Sequence, residues 1–569
     1  MSMGNSISSI IQWAMAIFLF GCNPVCRAHV PEAAGCEDLI NLKFPRATVT
    51  LAQPIPAGNF LAPDGENYAV PAFCRVHGVS RPTSDSSINF EVWMPENGWS
   101  GRYYQHGQGG SGGVISYADL AGFLLSGAAG AATDDGHVMP ADRGLGWALK
   151  HPERVVDFGY RALKETTDHA KIVVQTYYGK APHYSYFEGC SDGGRLALMA
   201  AQRFPDDWNG ILVGAPGNYR VRFTAGVNAW FGQIWLNNPA GRIPPSKLPA
   251  IQRAALAACK PQANVVDGIA TDPRFCRLDP AILTCKTKDT DECLTEPQVA
   301  MVRTIYDGPR SLRTGEQIYP GYPSTVEGVN GGWDNNITGG RASMGFQSSA
   351  NNAINEPSYS IRAKQFYRNF VFDDPQWDFQ KLDLDRDIAY AENKLVAGQS
   401  LASILNSDNP ELSGVNEKIP KILMYFGWAD DSVTPLGGIK YYEDVAQKNN
   451  GFKKTQGFFR LFMAPGMAHC GGGPGPNSFG QFGRLYTPPL KDDAAHSITR
   501  ALEAWVEKGV APRKIIAAKY VDDKPERGAL MTRPLCPYPQ IAKYKGRGST
   551  RDAGNFECVE GALSGSERD

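Results

Sequence analysis

A serine stands between two glycines at residues 189–193, which read Gly-Cys-Ser-Asp-Gly. A Gly-x-Ser-x-Gly run that follows a strand and opens a helix is typical of a nucleophile elbow, where a tight turn lifts the serine oxygen above a sheet. The aromatic run 184–187 predicts that strand, and residues 196–203 have the spacing of a helix. The pattern therefore indicates a nucleophile at Ser191, although a surface turn would satisfy the five residues alone.

A carboxylate that could serve this serine lies far downstream. A serine hydroxyl at neutral pH needs a general base held by an acid, and α/β-hydrolases follow the chain order serine, acid, histidine. The bulky apolar run 421–426 predicts a buried strand, and an acidic turn ending in Val-Thr-Pro follows it directly. Because the acid is expected at the end of such a strand, we predict Asp430, and Asp431 stays open as the alternative.

Two of the nine histidines follow the predicted acid. His469 lies in a glycine-rich loop after the strand-like stretch 458–463, which suits a base that must reach over the serine. His496 has a charged, helical context and is predicted to be an exposed helix residue. His106 and His137 precede the serine and fit supporting or loop positions better. We therefore predict His469 as the general base.

The anionic oxygen formed during acyl transfer needs preorganised N–H donors, each contributing about 3–4 kcal/mol to lowering the barrier. The backbone N–H of Asp192, directly after the serine, is one expected donor. A glycine-rich loop at 107–113 follows a predicted strand, and its glycines allow close approach of the backbone. We predict the second donor at Gly110 or Gly109, with a glycine loop that binds nothing as the alternative.

The elements that position these residues follow a regular order. Strand-like and helix-like stretches alternate from residue 89 to residue 214, and a buried strand returns at 421. This alternation predicts an α/β fold, with a mostly parallel sheet covered by helices on both faces. The net charge of −1 gives no reason to expect nucleic acid or an anionic membrane as a partner.

Four segments are predicted along the 569 residues. They are a signal peptide at 1–28, a first part of the α/β core at 29–217, an inserted lid domain at 218–395 and a second part of the core at 396–569. The insert is rich in Asn, Gly, Pro and Trp and has weak periodicity. The tail after the last predicted helix, 499–508, is proline-rich and reads as loop.

The apolar run 10–20 is too short to span a bilayer but suits a signal peptide, with cleavage near Ala28. A lipoprotein box that ends in Cys22 stays open as an alternative and would place a lipid anchor there. A buried N-terminal helix is a third interpretation. No later segment is apolar enough to span a membrane.

Twelve cysteines are present, and ten remain after a leader that carries Cys22 and Cys26 is removed. An even set behind a signal peptide favours disulfides and a secreted or periplasmic location. The absence of any Cys-x-x-Cys pair argues against zinc. Cys190 precedes the predicted nucleophile and Cys470 follows the predicted base. A disulfide between them would close a loop of about 280 residues, contribute roughly 5–6 kcal/mol and hold the two catalytic loops together.

The Cys-Ser, Asp and His-Cys motifs together resemble the tannase and feruloyl esterase family, which includes the hydrolase of mono(2-hydroxyethyl) terephthalate. The resemblance extends from about Cys36 to Cys558 and includes the loop at 109–110 and the stretches 469–476 and 533–539. It implies an α/β-hydrolase core with a lid inserted after the nucleophile strand, and hydrolysis of esters of aromatic carboxylic acids. It also implies four further disulfides: Cys36–Cys74, Cys259–Cys276, Cys285–Cys293 and Cys536–Cys558.

Members of this family commonly hold a calcium ion in a lid loop of the pattern Cys-Asp-x-x-Asp-Gly-x-x-Asp-Gly. In the corresponding stretch, 259–269, Lys260 and Ala263 replace two of the carboxylates and Asp267 remains. Calcium takes six or more oxygen ligands with enough negative charge. We therefore expect neither a metal ion nor any other cofactor.

The expected substrate is a small aromatic ester, with ferulate esters favoured over gallate esters of tannins and over terephthalate monoesters. Aromatic side chains of the insert could stack on its ring, although most are expected to be lid core; they are Phe223, Trp230, Phe231, Trp235, Trp333, Phe346 and Phe366. Two other classes stay open, a serine peptidase and a non-catalytic relative that binds tannin or glycan. The intact Ser, Asp and His argue against the non-catalytic relative.

Overall fold

The computed structural model describes residues 33–141, 144–329, 332–334, 336–339, 356–412, 419–483, 485–561 and 563. The predicted signal peptide at 1–28 and the alternative lipid site at Cys22 lie outside these residues, as does Phe346. Among the described residues, none of the helices combines the length and the apolar character needed to cross a bilayer.

A nine-stranded sheet forms the core of the molecule. Its strands are β1 (Ala47–Ile55), β2 (Phe73–Ser80), β3 (Ile88–Pro95), β4 (Arg102–Gly107), β5 (Ala129–Thr133), β6 (Tyr184–Cys190), β7 (Gly210–Gly214), β8 (Lys421–Gly427) and β9 (Phe459–Ala464). Their spatial order is β1-β2-β3-β5-β4-β6-β7-β8-β9. The pairs β1-β2, β2-β3 and β3-β5 are antiparallel. The other five pairs are parallel. The predicted α/β class with a mostly parallel sheet is confirmed.

Helices cover both faces of this sheet. They are α1 (Tyr117–Leu125), α2 (Ala162–Tyr178), α3 (Asp192–Arg203), α4 (Pro435–Lys448) and α5 (Ile498–Lys508). Side chains alternate along each strand, so that Val92 packs in one apolar cluster and its neighbour Trp93 in the other. Helices α2, α3 and α4 pack in the first cluster, and α1 and α5 pack in the second.

The chain leaves the sheet after β7 and returns at β8, so β7 lies between the nucleophile strand β6 and the insert. Between β7 and β8 the chain forms helices at Ala229–Asn237, Leu248–Ala257, Glu296–Asp307, Ser358–Phe366, Leu384–Asn393 and Leu401–Leu405. The weak periodicity of the sequence did not reveal these helices, because they are short and bury side chains in two separate clusters. The predicted limits of the lid domain, 218 and 395, stay a prediction.

The C-terminal segment forms two antiparallel ribbons, so the prediction of a loop-like tail was wrong. One ribbon pairs Ile515–Tyr520 with Ala529–Leu535, and the other pairs Gln540–Tyr544 with Phe556–Glu560. Pro534 obscured the pattern, since proline is tolerated only where a strand needs no N–H donor on that side. The remaining strands form hairpins: Gly58–Leu61 with Asn67–Val70, Val265–Val266 with Ile269–Ala270, and Leu395–Val396 with Gln399–Ser400. Short helices lie at Pro152–Val156 and Phe452–Thr455.

Disulfides cross-link several segments of this fold. Besides the one at the candidate site, the described pairs are Cys36–Cys74, Cys259–Cys276, Cys285–Cys293 and Cys536–Cys558. The last pair connects the two C-terminal ribbons to each other. These are the pairs that the family resemblance implied.

Candidate active site

The turn between β6 and α3 holds Ser191 in a strained backbone conformation, with φ 65° and ψ −119°. Non-glycine residues rarely adopt a positive φ, and such strain is concentrated at functional sites. The turn closes because its glycines lack side chains. A Cβ on Gly189 would lie 2.6 Å from the backbone of Gly193, and one on Gly193 would clash with the carbonyl oxygen of Gly107.

Three backbone hydrogen bonds hold the serine in this turn. Its N–H donates to the carbonyl of Gly214 at 3.0 Å, at the end of β7. Its carbonyl accepts from the N–H of Arg195 at 3.0 Å, within α3, and from the N–H of Gly217 at 3.1 Å, where the insert begins. The nucleophile turn is therefore tied to the sheet, the helix and the first residues of the insert.

A disulfide between Cys190 and Cys470 joins this turn to the loop after β9. The two Cα atoms lie 6.0 Å apart, although 280 residues separate them along the chain. Ser191 follows one of these cysteines and His469 precedes the other. The bond therefore holds the backbone of the predicted nucleophile beside the backbone of the predicted base.

Asp430 contacts His469 directly, with 2.7 Å between Oδ2 and Nδ1 of the ring. The other oxygen, Oδ1, accepts the backbone N–H groups of Ser432 at 2.8 Å and Val433 at 2.9 Å. The carboxylate is buried. Three hydrogen bonds thus fix its position, and with Nδ1 engaged only Nε2 of the ring is left to act on another group.

Asp431 is also buried but does not contact the histidine ring. Its Oδ2 accepts the backbone N–H of Asn336, from the insert, at 3.3 Å. Burial, together with the charge of Asp430, raises the pKa of Asp431 to about 7. Burial lowers the pKa of His469, but the charge and hydrogen bond of Asp430 and the charge of Asp431 outweigh it, so the net pKa is raised.

The other three histidines considered in the sequence analysis make different contacts. His496 precedes α5 and its ring Nδ1 lies 2.7 Å from Asp493; because its side chain is only 17% exposed, the prediction of an exposed helix residue was wrong. His106 lies in β4, with its Nδ1 3.4 Å from Asp119. His137 stacks on Trp147 with 3.7 Å between ring centroids, and burial lowers its pKa to about 4.

The glycine loop after β4 packs against the nucleophile turn. A Cβ on Gly109 would lie 3.4 Å from the carbonyl oxygen of Cys190 and 3.9 Å from the Cβ of Ser191. Gly110 has a φ of 70°, and a Cβ there would meet nothing within 4 Å. Within the part of the chain that the structure describes, the N–H groups of Gly110 and Asp192 donate to no other protein atom. Their role as oxyanion donors stays a prediction.

The lid loop that corresponds to the family's calcium site does not fit the ion. Both carboxylate oxygens of Asp267 accept hydrogen bonds, one from Arg533 at 2.8 Å and one from Thr550 at 2.9 Å. Ala263 is fully buried and offers no side-chain oxygen. A guanidinium already neutralises the remaining carboxylate, and Lys260 adds a positive charge to the same loop.

Among the described residues, two groups of three metal-ligating side chains lie close together. One is Cys285, Asp289 and Cys293, but its two sulfurs are bonded to each other and cannot act as thiolates. The other is the buried set of His106, Asp119 and Glu188. In it, Ser116 donates to Oδ2 of Asp119 at 2.5 Å, and Nδ1 of His106 lies 3.4 Å from the same oxygen.

Two arginines beside the nucleophile turn were missed by the sequence analysis. Arg195 donates to both carboxylate oxygens of Asp192 at 2.8 Å and is fully buried. Its spacing of three residues on a helix is a local signal that could have revealed this pair. Arg220, at the start of the insert, places its Nε 3.6 Å from the same carboxylate. No local pattern marks this second contact.

The aromatic side chains of the insert mostly form its own core, as expected. Phe223, Phe231, Trp333 and Phe366 are buried in apolar clusters. Trp230 is partly buried against the same clusters. The guanidinium of Arg242 lies over the ring of Trp235, at 3.8 Å from its centroid.

Comparison with known proteins places the chain in a family. The family model described as tannase and feruloyl esterase matches residues 74–559. An uncharacterized esterase of Xanthomonas campestris is 44% identical over 548 residues, covering 93% of this chain and 92% of the relative. The mono(2-hydroxyethyl) terephthalate hydrolase of Piscinibacter sakaiensis is 31% identical over 546 residues, covering 86% and 85%.

A solved structure agrees with these sequence matches. The crystal structure of feruloyl esterase B from Aspergillus oryzae has a TM-score of 0.79 and 27% identity, covering 92% of this chain and 99% of its own. The chain belongs to the tannase and feruloyl esterase family and is an ester hydrolase with an α/β-hydrolase fold.

Proposed function

We propose that this member of the tannase and feruloyl esterase family hydrolyses esters of aromatic carboxylic acids through an acyl-enzyme formed on Ser191. One observation carries the proposal: a histidine with Asp430 at its Nδ1 stands in a loop that a disulfide bonds to the residue before the serine. A serine beside an oriented imidazole is the arrangement that acyl transfer needs.

In this mechanism His469 takes the proton of Ser191 through Nε2, and the serine oxygen attacks the ester carbonyl. The imidazolium that forms is stabilised by Asp430, whose carboxylate is held by two backbone N–H groups. His469 then passes the proton to the leaving alcohol, which departs as the carbonyl re-forms. A water molecule, deprotonated by His469, releases the aromatic acid and restores the serine.

The tetrahedral intermediate carries its negative charge on the former carbonyl oxygen. The N–H groups of Asp192 and Gly110 donate to this oxygen, with Gly109 as the alternative to Gly110. Two observations support these donors. Asp192 begins α3, where the helix dipole favours an anion, and the glycine loop packs on the serine turn.

Ferulate esters are the favoured substrates. The similarity to feruloyl esterase B from Aspergillus oryzae, which covers 99% of that enzyme, supports this choice. Terephthalate monoesters are the second candidate, since a relative with 31% identity is named for that substrate. Gallate esters follow, because the family description includes tannase.

The test is a hydrolysis panel of methyl ferulate, methyl gallate and mono(2-hydroxyethyl) terephthalate. Ser191→Ala should lower kcat by about 10⁴-fold or more on every ester that the wild type cleaves. Ser185→Ala, a buried serine of the same strand β6, is the matched control and should keep activity. Full activity of Ser191→Ala would exclude the mechanism, and a wild type inactive on all three esters would exclude the substrate class.

We further propose that the enzyme works outside the cytosol, in the periplasm or the surrounding medium. Five disulfides support this location, because thiols in the cytosol are kept reduced. Fractionation of the native host, with mass determination of the mature N-terminus, tests the location. That mass also decides between cleavage near Ala28 and lipid attachment at Cys22.

A further inference from the structure

Arg220 reaches both parts of the proposed oxyanion site from the first residues of the insert. Its Nη2 donates to the carbonyl oxygen of Gly110 at 3.4 Å, and its Nε lies 3.6 Å from Oδ1 of Asp192. The backbone near it is anchored to the nucleophile, since Gly217 donates to the carbonyl of Ser191. We propose that Arg220 is a positioning residue that holds the two oxyanion donors at a fixed separation, an inference that rests on the proposed function.

The loop side of the site needs such support. A glycine with φ 70° has no side chain to hold its peptide planes, so its N–H direction depends on neighbouring hydrogen bonds. The carbonyl of Gly109 accepts from Gly112 at 3.3 Å, and in a trans peptide this turns the N–H of Gly110 the opposite way. Arg220 holds the next carbonyl. Because the carbonyls of Gly109 and Gly110 both accept hydrogen bonds, the N–H of Gly110 is held in one orientation.

The helix side of the site is held by a second arginine. Arg195 binds Asp192 with two hydrogen bonds and also donates to the carbonyls of Phe158 and Gly159. The guanidinium of Arg195 lies 5.0 Å from the ring centroid of Phe158, and that of Arg220 lies 5.9 Å from the same centroid. One phenyl ring therefore packs against both guanidinium groups, which keeps Arg220 between Asp192 and the glycine loop.

Charge supports the same assignment. The carboxylate of Asp192 lies close to the point where an anionic oxygen would form. Without a positive partner, this carboxylate would repel the negative charge of that oxygen. Arg195 balances this carboxylate from the buried side. Arg220 adds a second positive charge, on a side chain that is 20% exposed. Loss of Arg220 should therefore weaken binding of the transition state more than binding of the ester.

The experiment compares Arg220→Ala and Arg220→Lys with Arg222→Ala. Arg222 is the matched control, because it lies two residues further on, pairs with Glu392 at 2.8 Å and is 47% exposed. The readouts are kcat and KM on the preferred ester and the inhibition constant of phenylboronic acid. The serine oxygen adds to this boron while its proton passes to His469, which gives a tetrahedral anion.

Arg220→Ala should lower kcat by about 10- to 100-fold with KM changed less than about threefold, since a single oxyanion donor accounts for about 10²–10³ in kcat. Its inhibition constant for phenylboronic acid should rise by a similar factor. Arg220→Lys keeps the charge but cannot reach both partners, so its values should lie between those of the wild type and Arg220→Ala. Arg222→Ala should match the wild type.

Equal kcat and boronic acid binding in the Arg220 variants and Arg222→Ala would overturn the inference. So would a fall in kcat with unchanged boronic acid binding, because the effect would then not act on the tetrahedral state. If Arg220→Ala does not fold, Arg220→Lys carries the same comparison. These failures leave the proposed function intact as long as the wild type cleaves the ester and Ser191→Ala does not.

Discussion

Two of the disulfide-closed loops of this enzyme differ in what the disulfide holds in place. At the candidate active site, Cys190–Cys470 joins segments 280 residues apart and links the turn of Ser191 to the loop of His469. In the lid loop, Cys259–Cys276 joins segments 17 residues apart around a stretch in which we expect no calcium. There, Arg533 from the C-terminal ribbons contacts the remaining carboxylate of Asp267.

The two disulfides therefore have different expected roles, one in catalysis and one in stability. At the candidate active site the disulfide holds together the two loops that carry the proposed nucleophile and base, so its loss should affect catalysis. In the lid loop it supports a segment whose remaining charge is balanced by a side chain from another ribbon, so its loss should affect stability alone. The following experiments test this division, beginning with the largest expected effect.

Asp430→Asn should lower kcat by about 10⁴-fold without changing the fold, because an amide at this position holds the imidazole in the wrong tautomer. Asp431→Asn is the control on the adjacent residue and should keep most of the activity, since its carboxylate contacts Asn336 rather than the ring. Steady-state kinetics with circular dichroism measures both. A larger loss in Asp431→Asn would mean that the active site uses the other acid.

The two disulfides can be removed separately. Cys190→Ala with Cys470→Ala should lower the free energy of unfolding by about 5–6 kcal/mol and kcat by about 10²-fold, because the reacting groups are no longer held together. Cys259→Ala with Cys276→Ala should lower the unfolding free energy by about 3 kcal/mol and leave kcat unchanged. Guanidinium unfolding without reductant and ester kinetics measure the two effects. Equal losses of kcat in the two double variants would contradict the division.

Arg533→Ala should destabilise the protein by about 1 kcal/mol, because it removes the charged partner of the solvent-exposed Asp267. Arg551→Ala, an exposed arginine of the same C-terminal region, should have little effect on Tm. A calcium chelator should leave the Tm of the wild type unchanged. One calcium per chain in elemental analysis, together with a lower Tm in chelator, would show that the loop binds the ion after all.

The smallest expected effect concerns pH. His469 acts as a base only when neutral, and its pKa is raised, against the effect of burial, by Asp430 and also by the charge of Asp431. Asp431→Asn removes one of these charges, so the acidic limb of the kcat/KM profile should move to lower pH. The shift is small because Asp431, with its own pKa near 7, is only partly ionised there. Asp493→Asn, at the distant His496 pair, should leave the limb in place; a shift to higher pH in Asp431→Asn would contradict the assignment.

A structural feature could be predicted from the sequence where the residues that determine it lie mostly within one short segment. The serine turn is such a case. A Cβ on Gly189 would clash with the backbone of Gly193 four residues later, and a Cβ on Gly193 would clash with Gly107 on the adjoining strand. The strands at 210–214 and 421–427 were also predicted, since buried parallel strands are continuous apolar runs. The helices of the insert and the C-terminal ribbons were not, because their residues pack on several sides or sit in isolated two-stranded ribbons.

The residues alone predicted the α/β core and the serine turn, and both are present in the structure. Only the tertiary structure decided which carboxylate contacts His469, 39 residues away, and that Arg220 meets Gly110 across 110 residues. It also paired Arg533 with Asp267 across 266 residues. Steric constraints and hydrophobic periodicity act between residues that are close along the chain, so they can be recognised in the sequence. Ion pairs and hydrogen bonds between distant segments form only after folding has brought those segments together.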